Sequence, residues 1–416
     1  MIKPLIINTM DIHGGAARAA FRLHQGLKKI NIDSTMLVGD KTSDEITVLG
    51  ANTKLGKAWQ KIAPTLDSLP LKAYPQYNRS IFSLQWLPER LAARVAHINP
   101  DVINLHWINN GYLRIETLAK FNKPIIWTLH DMWPFTGGCH YNEGCDKYTK
   151  SCGACLQLGS HRENDISLWI WQRKASAWED INLTIVTPSR WLAECATQSS
   201  LFHNLRIEVI ANGLDDQVYK PIDQTMARKL LNLPLDKKLV LFGAMNSTSN
   251  RRKGFHLLEP ALRKLSQDKS QENIELVIFG ASQPANIPNF GLKTHYLGRL
   301  YDDISLALVY SAADVMTVPS IQEAFGQTAS ESLACGTPVV AFDITGLKDI
   351  VAHQQNGYLA KPFDVDDLAK GIAWVLEDKH RWLSLSQRSR EKVEQEFTLQ
   401  AQAQKYRSLY LSLLAK

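Results

Sequence analysis

Short apolar runs alternate with amphipathic stretches along most of the chain, and this alternation restricts it to folds assembled from βαβ units with parallel sheets. In the first half the runs are Pro4 to Asn8, Ser34 to Val38, Val102 to His106, Ile125 to His130 and Leu183 to Pro188. Between the first two lies Ala16 to Ile30, with Ala20, Leu23, Leu27 and Ile30 at helical spacing. The second half repeats the theme with Leu239 to Ala244, Glu275 to Gly280, Val315 to Pro319 and Thr337 to Phe342. Two doubly wound α/β domains of ordinary size use up all 416 residues. The strand Ile207 to Ile210 runs into Ala211-Asn212-Gly213, which sets domains at 1–210 and 211–395, followed by an amphipathic helix in 396–416 that could pack on either. Residues 54–94, interrupted by Pro64, Pro70, Pro75 and Pro88, read as an insertion on the first domain.

Charge narrows the partners. Residues 1–200 carry 22 Lys+Arg against 17 Asp+Glu, most of the overall +6. So mild an excess suits an anionic small molecule or membrane surface and argues against a nucleic-acid groove, which needs clustered bases. The first apolar run stops at Asn8, too short for a signal peptide, and no stretch reaches the length of a membrane span. We therefore expect a cytoplasmic protein with mostly reduced cysteines.

The strongest local signal is the segment from Ser320 to Val340, SIQEAFGQTASESLACGTPVV. A strand ends at Pro319, a loop carries Glu323 and Gly326, and a helix runs from about Gln327 to Cys335 before Gly336 closes it. Backbone N–H groups at Gly326, Gln327 and Thr328 suit a phosphate, because a helix N-terminus combines unpaired donors with a positive dipole end. Glu323 and Glu331 would repel that phosphate, so they are assigned to sugar and ribose hydroxyls. A helix cap and a solvated face residue are the plainer roles for the same two acids.

This segment resembles the E-x7-E motif of family-4 glycosyltransferases, and Gly346 to Val351 and Asn356 to Leu359 resemble the family's continuation. The resemblance implies the GT-B fold, two facing Rossmann-like domains with a nucleotide sugar in the cleft between them. It places Glu323 by the donor sugar and Glu331 on the ribose. It also gives meaning to Gly14 and Gly15, which follow the first strand and open a helix without a dinucleotide G-x-G-x-x-G, as the loop against the donor phosphate and acceptor. His130 and Asp131, after the run Trp127 to Leu129, match the family's histidine near sugar and acceptor. Asp131 is read as an acceptor contact.

Lys253, in the segment 243–255 between a strand and a helix, supplies a point charge for a diphosphate. Here the chain departs from the family, with Gly243-Ala244 where a Gly-Arg pair is usual. Arg251 or Arg252 stands in, and Arg252 is taken as the donor-binding one.

Cys139, Cys145, Cys152 and Cys155 are spaced C-x5-C-x6-C-x2-C. Four thiolates can close a structural zinc site, with disulfides and plain packing as the alternatives. The cluster reads as a Cys-rich loop, 139–155, at the acceptor mouth. Trp169, Trp171 and Trp178, with Lys57, Lys61 and Lys72, suit either an anionic membrane or the core.

The expected protein is thus a glycosyltransferase of a type similar to exopolysaccharide and colanic-acid enzymes, retaining by resemblance. It moves a sugar from a nucleotide sugar donor to a glycan or lipid-linked acceptor at the inner face of the membrane. Catalysis needs no cofactor, since GT-B enzymes work without a divalent metal, and no nucleic acid is involved. His130, Glu323 and Lys253 carry the chemistry. A GT-B hydrolase or phosphorylase and a catalytically silent nucleotide-sugar binder are the alternatives.

Overall fold

The computed structural model describes residues 2–51, 53–243, 250–267, 273–283, 289–300 and 302–415. Within them the chain forms two α/β units, Met1–Ala211 with Gln402–Lys416, and Asn212–Ala401. The first contains a seven-stranded sheet made of β1 (Pro4–Met10), β2 (Thr35–Asp40), β3 (Val48–Leu49), β4 (Val102–Leu105), β5 (Ile125–Thr128), β6 (Leu183–Thr187) and β7 (Arg206–Val209). Its order is β3-β2-β1-β4-β5-β6-β7. The second is six-stranded, with β8 (Lys238–Gly243), β9 (Ile274–Phe279), β10 (Thr294–Tyr296), β11 (Val315–Val318), β12 (Val339–Phe342) and β13 (Gly357–Ala360) in the order β10-β9-β8-β11-β12-β13. Every named pairing is parallel, with registers such as Leu5 opposite Ile103 and Leu105 opposite Trp127. Helices on both faces bury the central strands completely, which is why these strands read as unbroken apolar runs.

Both orders reverse beside the first strand of the unit, at β1/β4 and at β8/β11. At such a switch point the crossovers leave in opposite directions, and a crevice opens beyond the carboxyl ends of the strands. The residues following β1, β4, β8 and β11 are therefore those the fold sets up to meet a ligand.

Two sequence expectations need correction. Residues 54–94 are not an appended insertion. They form the crossover from β3 to β4, beginning with the helix Lys54–Ser68, which carries Pro64 inside it. A Cβ on Gly39 of β2 would stand 2.5 Å from Gln60 of that helix, so the helix lies directly on the sheet. Strand β5 ends at Thr128, so His130 lies two residues past the strand. The last helix, Leu399–Leu414, sends Tyr406 and Tyr410 into the core of the first unit, among Ile6, Leu23, Val38, Val102 and Ile126. Tyr406 shares a hydrogen bond with Thr128 at 2.8 Å, and Tyr410 accepts one from Asn104 at 3.1 Å, so each buried phenol has a partner. Among the described residues no helix is long and apolar enough to cross a membrane.

Candidate functional site

In the second unit the site is assembled where the turn Arg251–Lys253 packs against the end of β11. Gly254 holds φ 74°, and a Cβ there would stand 1.8 Å from the carbonyl oxygen of Pro319, so only glycine lets the turn lie this close. The Ile321 N–H donates to the Arg252 carbonyl at 2.9 Å, which fixes the two loops in register. Lys253 Nζ then reaches Glu323 Oε1 at 2.5 Å, Arg252 Nη1 lies 3.3 Å from Oε2, and the Ser320 hydroxyl donates to Oε1 at 2.9 Å. The backbone of Glu323 is held in turn by Thr345 and Gly346.

Burial opposes ionisation of Glu323, but Lys253 and then Arg252 outweigh it and hold the carboxyl at about 2. Burial also lowers Lys253 from its ordinary value, against the pull of Glu323. Two cations meet one carboxylate here, an arrangement whose positive bias favours an anion. Of the two candidate arginines, Arg252 faces this cluster, while Arg251 is exposed.

Gly326 takes φ 116° at the N-cap of the helix Gln327–Ala334, where it brings no side chain of its own to the cap. Thr328 is in its first turn. Glu331 is buried one turn further on, where its Oε2 accepts from the Tyr310 hydroxyl at 2.9 Å. The structure thus brings Lys253, Arg252 and Glu323 together and sets Glu331 against Tyr310. Gly243 ends β8, whereas Ala244 of the altered pair lies outside the described residues.

In the first unit Gly14, at φ 96°, caps the helix Gly15–Lys29 and likewise brings no side chain of its own to the cap. Open space surrounds its Cβ position, so the backbone conformation alone calls for glycine. At the neighbouring strand end Trp107 N–H donates to Asn8 Oδ1 at 2.7 Å and Thr9 N–H to the Trp107 carbonyl at 2.8 Å, tying the β1 and β4 loops together. His130 Nε2 stands 2.8 Å from His106 Nδ1, with the rings stacked at 5.1 Å. Burial pulls His130 down to about 4 and His106 well below its ordinary value, so both are neutral at pH 7.

Asp131 is buried and already engaged by His140 Nδ1 at 2.6 Å, Trp107 Nε1 at 2.9 Å and the Trp133 N–H at 2.9 Å. These bonds make it a hub that orders the loop following His130. Sequence reasoning missed His106 and Trp107, although His106 follows an apolar run just as His130 does.

The four cysteines line one cavity of about 120 Å³ in company with Gly137 and Lys147. Gly137 N–H donates to Cys152 Sγ at 3.0 Å. Burial raises Cys139, and it raises Cys152 to about 11. Behind them Lys174 is fully buried, donating to the carbonyls of Trp133 and Thr136, with no carboxylate paired to it among the described residues. Among the described residues no group of three or more His, Cys, Asp or Glu side chains is set to hold a metal ion. Of the three tryptophans, Trp178 is buried, Trp171 bonds Ser200, and Trp169 is exposed beneath Arg173. A separate groove of about 940 Å³, lined by residues such as Pro124 and Asn182, opens at the amino ends of β5 and β6, away from the switch points.

Two doubly wound parallel-sheet units, each with its polar residues at the switch point, define an α/β protein of the GT-B type. The first half carries a Glycosyltransferase Family 4 domain over residues 13–218, and the second a Glycosyl transferases group 1 domain over residues 223–395. The chain is 25% identical over 304 residues to a D-inositol 3-phosphate glycosyltransferase from Thermobispora bispora, covering 69% of this chain and 64% of that protein. It spans less than two thirds of the length of the curated relatives it matches. In fold it resembles a sucrose-phosphate synthase from Thermosynechococcus elongatus, with a TM-score of 0.71, 21% identity and full coverage of both chains. It also resembles Anabaena Alr3699/HepE in complex with UDP and glucose, with a TM-score of 0.67, 17% identity, 99% of this chain and 100% of that one.

Proposed function

We propose that the chain is a glycosyltransferase that moves a sugar from a nucleoside diphosphate sugar to a hydroxyl of a glycan or lipid-linked acceptor. The observation that carries this reading is the Lys253–Arg252–Glu323 cluster beyond the end of β11. In the reaction the bond from the anomeric carbon to the β-phosphate oxygen breaks, and the diphosphate leaves with the electron pair. The acceptor oxygen bonds to that carbon, and its proton passes to the departing diphosphate, with retention of configuration. Charge grows on the diphosphate as it leaves, and Lys253, Arg252 and the helix start at Gly326, Gln327 and Thr328 stabilise it. Glu323, spaced eight residues from Glu331, orients the sugar while accepting from Lys253, and Glu331 meets the ribose. The second unit holds the donor. The first unit meets the donor phosphate through Gly14 and Gly15 and takes the acceptor at His130 and Asp131.

The test is turnover of a panel of nucleotide sugars with and without candidate acceptors. Transfer that requires acceptor supports the reading, full turnover of donor alone marks a hydrolase, and tight binding without turnover marks a binder. By the sequence resemblance we assign the reaction to surface polysaccharide synthesis of the colanic-acid kind. The acceptor class also puts the chain against an anionic membrane, to which the helix Lys54–Ser68 offers exposed Leu55 and Ile62 beside Lys57 and Lys61. Failure to sediment with anionic vesicles at low salt removes the membrane contact.

The Cys139, Cys145, Cys152 and Cys155 thiols are proposed to hold a thiophilic divalent cation such as zinc, in a structural role. Support comes from their shared cavity, the N–H donated to Cys152 and the nearby Lys174, which burial pulls well below its ordinary value and which anionic thiolates at Cys152 and Cys139 would favour in its charged form. The sulfurs would have to turn inward to close on it. Absence of stoichiometric metal from the purified protein overturns this assignment.

A further inference from the structure

We propose that His106 is a positioning residue that locks His130 into one neutral tautomer, with the proton on Nδ1, so that His130 meets the ligand as a hydrogen-bond donor. The ligand-facing part rests on the function proposed above. The tautomer itself does not.

His106 is held rigidly. Its N–H donates to the Ile7 carbonyl at 2.9 Å, and its own carbonyl accepts from the Trp127 indole at 3.0 Å. The register that puts Leu105 opposite Trp127 carries the following residues of both strands forward side by side. The result is the stacked pair with 2.8 Å between His106 Nδ1 and His130 Nε2. At that distance one of the two nitrogens carries a proton and the other a lone pair.

The far side of His106 decides which. Its Nε2 is buried and has no partner. A proton there would leave an orphaned N–H donor inside the protein, and orphaned buried donors are rarer and costlier than orphaned acceptors. The proton therefore sits on His106 Nδ1 and is donated to His130 Nε2. A neutral His130 whose Nε2 accepts must carry its hydrogen on Nδ1. That nitrogen makes no hydrogen bond with any described residue, and the ring edge bearing it is not sealed off from solvent.

The chemical consequence is specific. His130 offers an N–H to an oxygen of the bound sugar or acceptor, and taking up the acceptor's proton is not its task. To act as a base at Nδ1 it would have to pass its hydrogen to Nε2, which would drive a proton onto the sealed Nε2 of His106.

The experiment is 15N NMR of histidine-labelled full-length protein at neutral pH, in which bare and protonated ring nitrogens have well-separated shifts. The expected result is a protonated Nδ1 and a bare Nε2 on both His106 and His130. A protonated Nε2 on His130 overturns the proposal regardless of activity. His106→Phe should abolish the single His130 tautomer and lower kcat about 10- to 100-fold with donor KM nearly unchanged, by the scale of a lost oriented hydrogen-bonding group. His106→Asn, which keeps an N–H donor near the Nδ1 position, should restore most of both. An unchanged His130 spectrum in His106→Phe overturns the locking role. If the phenylalanine variant does not fold, the wild-type spectrum still decides. The expected tautomers in a protein that transfers no sugar would uphold the pair and sink the function instead.

Discussion

The two switch points solve the same problem with opposite electrostatics. Beyond β11 a lysine, an arginine and a glutamate sit in contact, fixed charges whose mutual attraction holds them in place. Beyond β4 and β5 the corresponding residues are two histidines kept neutral by burial, arranged by hydrogen bonds alone. A charged cluster is suited to steady a departing anion, whereas a neutral pair can orient hydroxyls without repelling cations or attracting stray phosphate. It follows that the two sites should fail differently when perturbed.

The largest contrast is expected from Lys253→Ala. Sugar transfer should fall by about 10²- to 10³-fold in kcat, the scale of losing one preorganised charge donor. The same change leaves Glu323 paired to Arg252 alone, so urea unfolding should report a loss of about 1–3 kcal/mol. Adding Glu323→Gln strips Arg252 of its carboxylate in turn and should lower stability further without restoring activity. If the double variant is as stable as the single one, the ion cluster is not what holds this loop.

Next come the two glycines. Gly254→Ala must push a methyl group into the Pro319 carbonyl as well as accept a left-handed backbone, and should cost about 3–4 kcal/mol. Gly14→Ala meets only open space, so it should cost about 1–2 kcal/mol. Equal urea midpoints for the two variants would show that crowding at Gly254 has been absorbed elsewhere.

Acid should separate the units. His24 in the first unit is fully buried, bonds Ser34 and Thr47, and is held at about 4 by burial and then by Lys28. A histidine whose folded value is depressed stabilises the fold above its unfolded value of about 6.5, and that stability drains away as pH falls towards 4. For His24 alone the loss is about 3 kcal/mol. Glu323, held at about 2, loses its contribution only between about 4.5 and 2. Tryptophan fluorescence, dominated by the first unit's Trp127, Trp133 and Trp178, should therefore change at a higher pH than nucleotide binding by the second unit. Coincident transitions would count against unequal acid sensitivity.

The smallest expected effect is Tyr406→Phe. Removing the hydroxyl that bonds Thr128 should cost about 1 kcal/mol and leave transfer rates unchanged.

How much of this was legible beforehand follows from range. Central strands announced themselves because both of their faces are buried, but β3 and β10 are two and three residues long and leave no such run. The helix Lys54–Ser68 was hidden by Pro64 and a basic composition, though it buries only Ala63 and Asp67 and so needs little apolar pattern. Glu323 could be found because a strand end, a glycine and a helix start surround it within a few residues. Its partners Arg252 and Lys253 lie some seventy residues away, and only the folded contact of Arg252 with Glu323 shows which arginine serves. His106 stayed unnoticed because its importance lies in a partner on the adjacent strand, which no local spacing encodes.

The return of the final helix to the first unit sets an order of events on the ribosome. The Leu214 N–H donates to the Phe397 carbonyl and the Leu399 N–H to the Leu214 carbonyl, so the two strands of chain that join the units are stitched side by side. Tyr406 and Tyr410 emerge only after the whole second unit has been translated, so the half that is made first must wait, with an unfilled gap in its interior, for the half that is made last. The first half is therefore not a contiguous stretch of gene, whereas the second, Asn212–Ala401, is one.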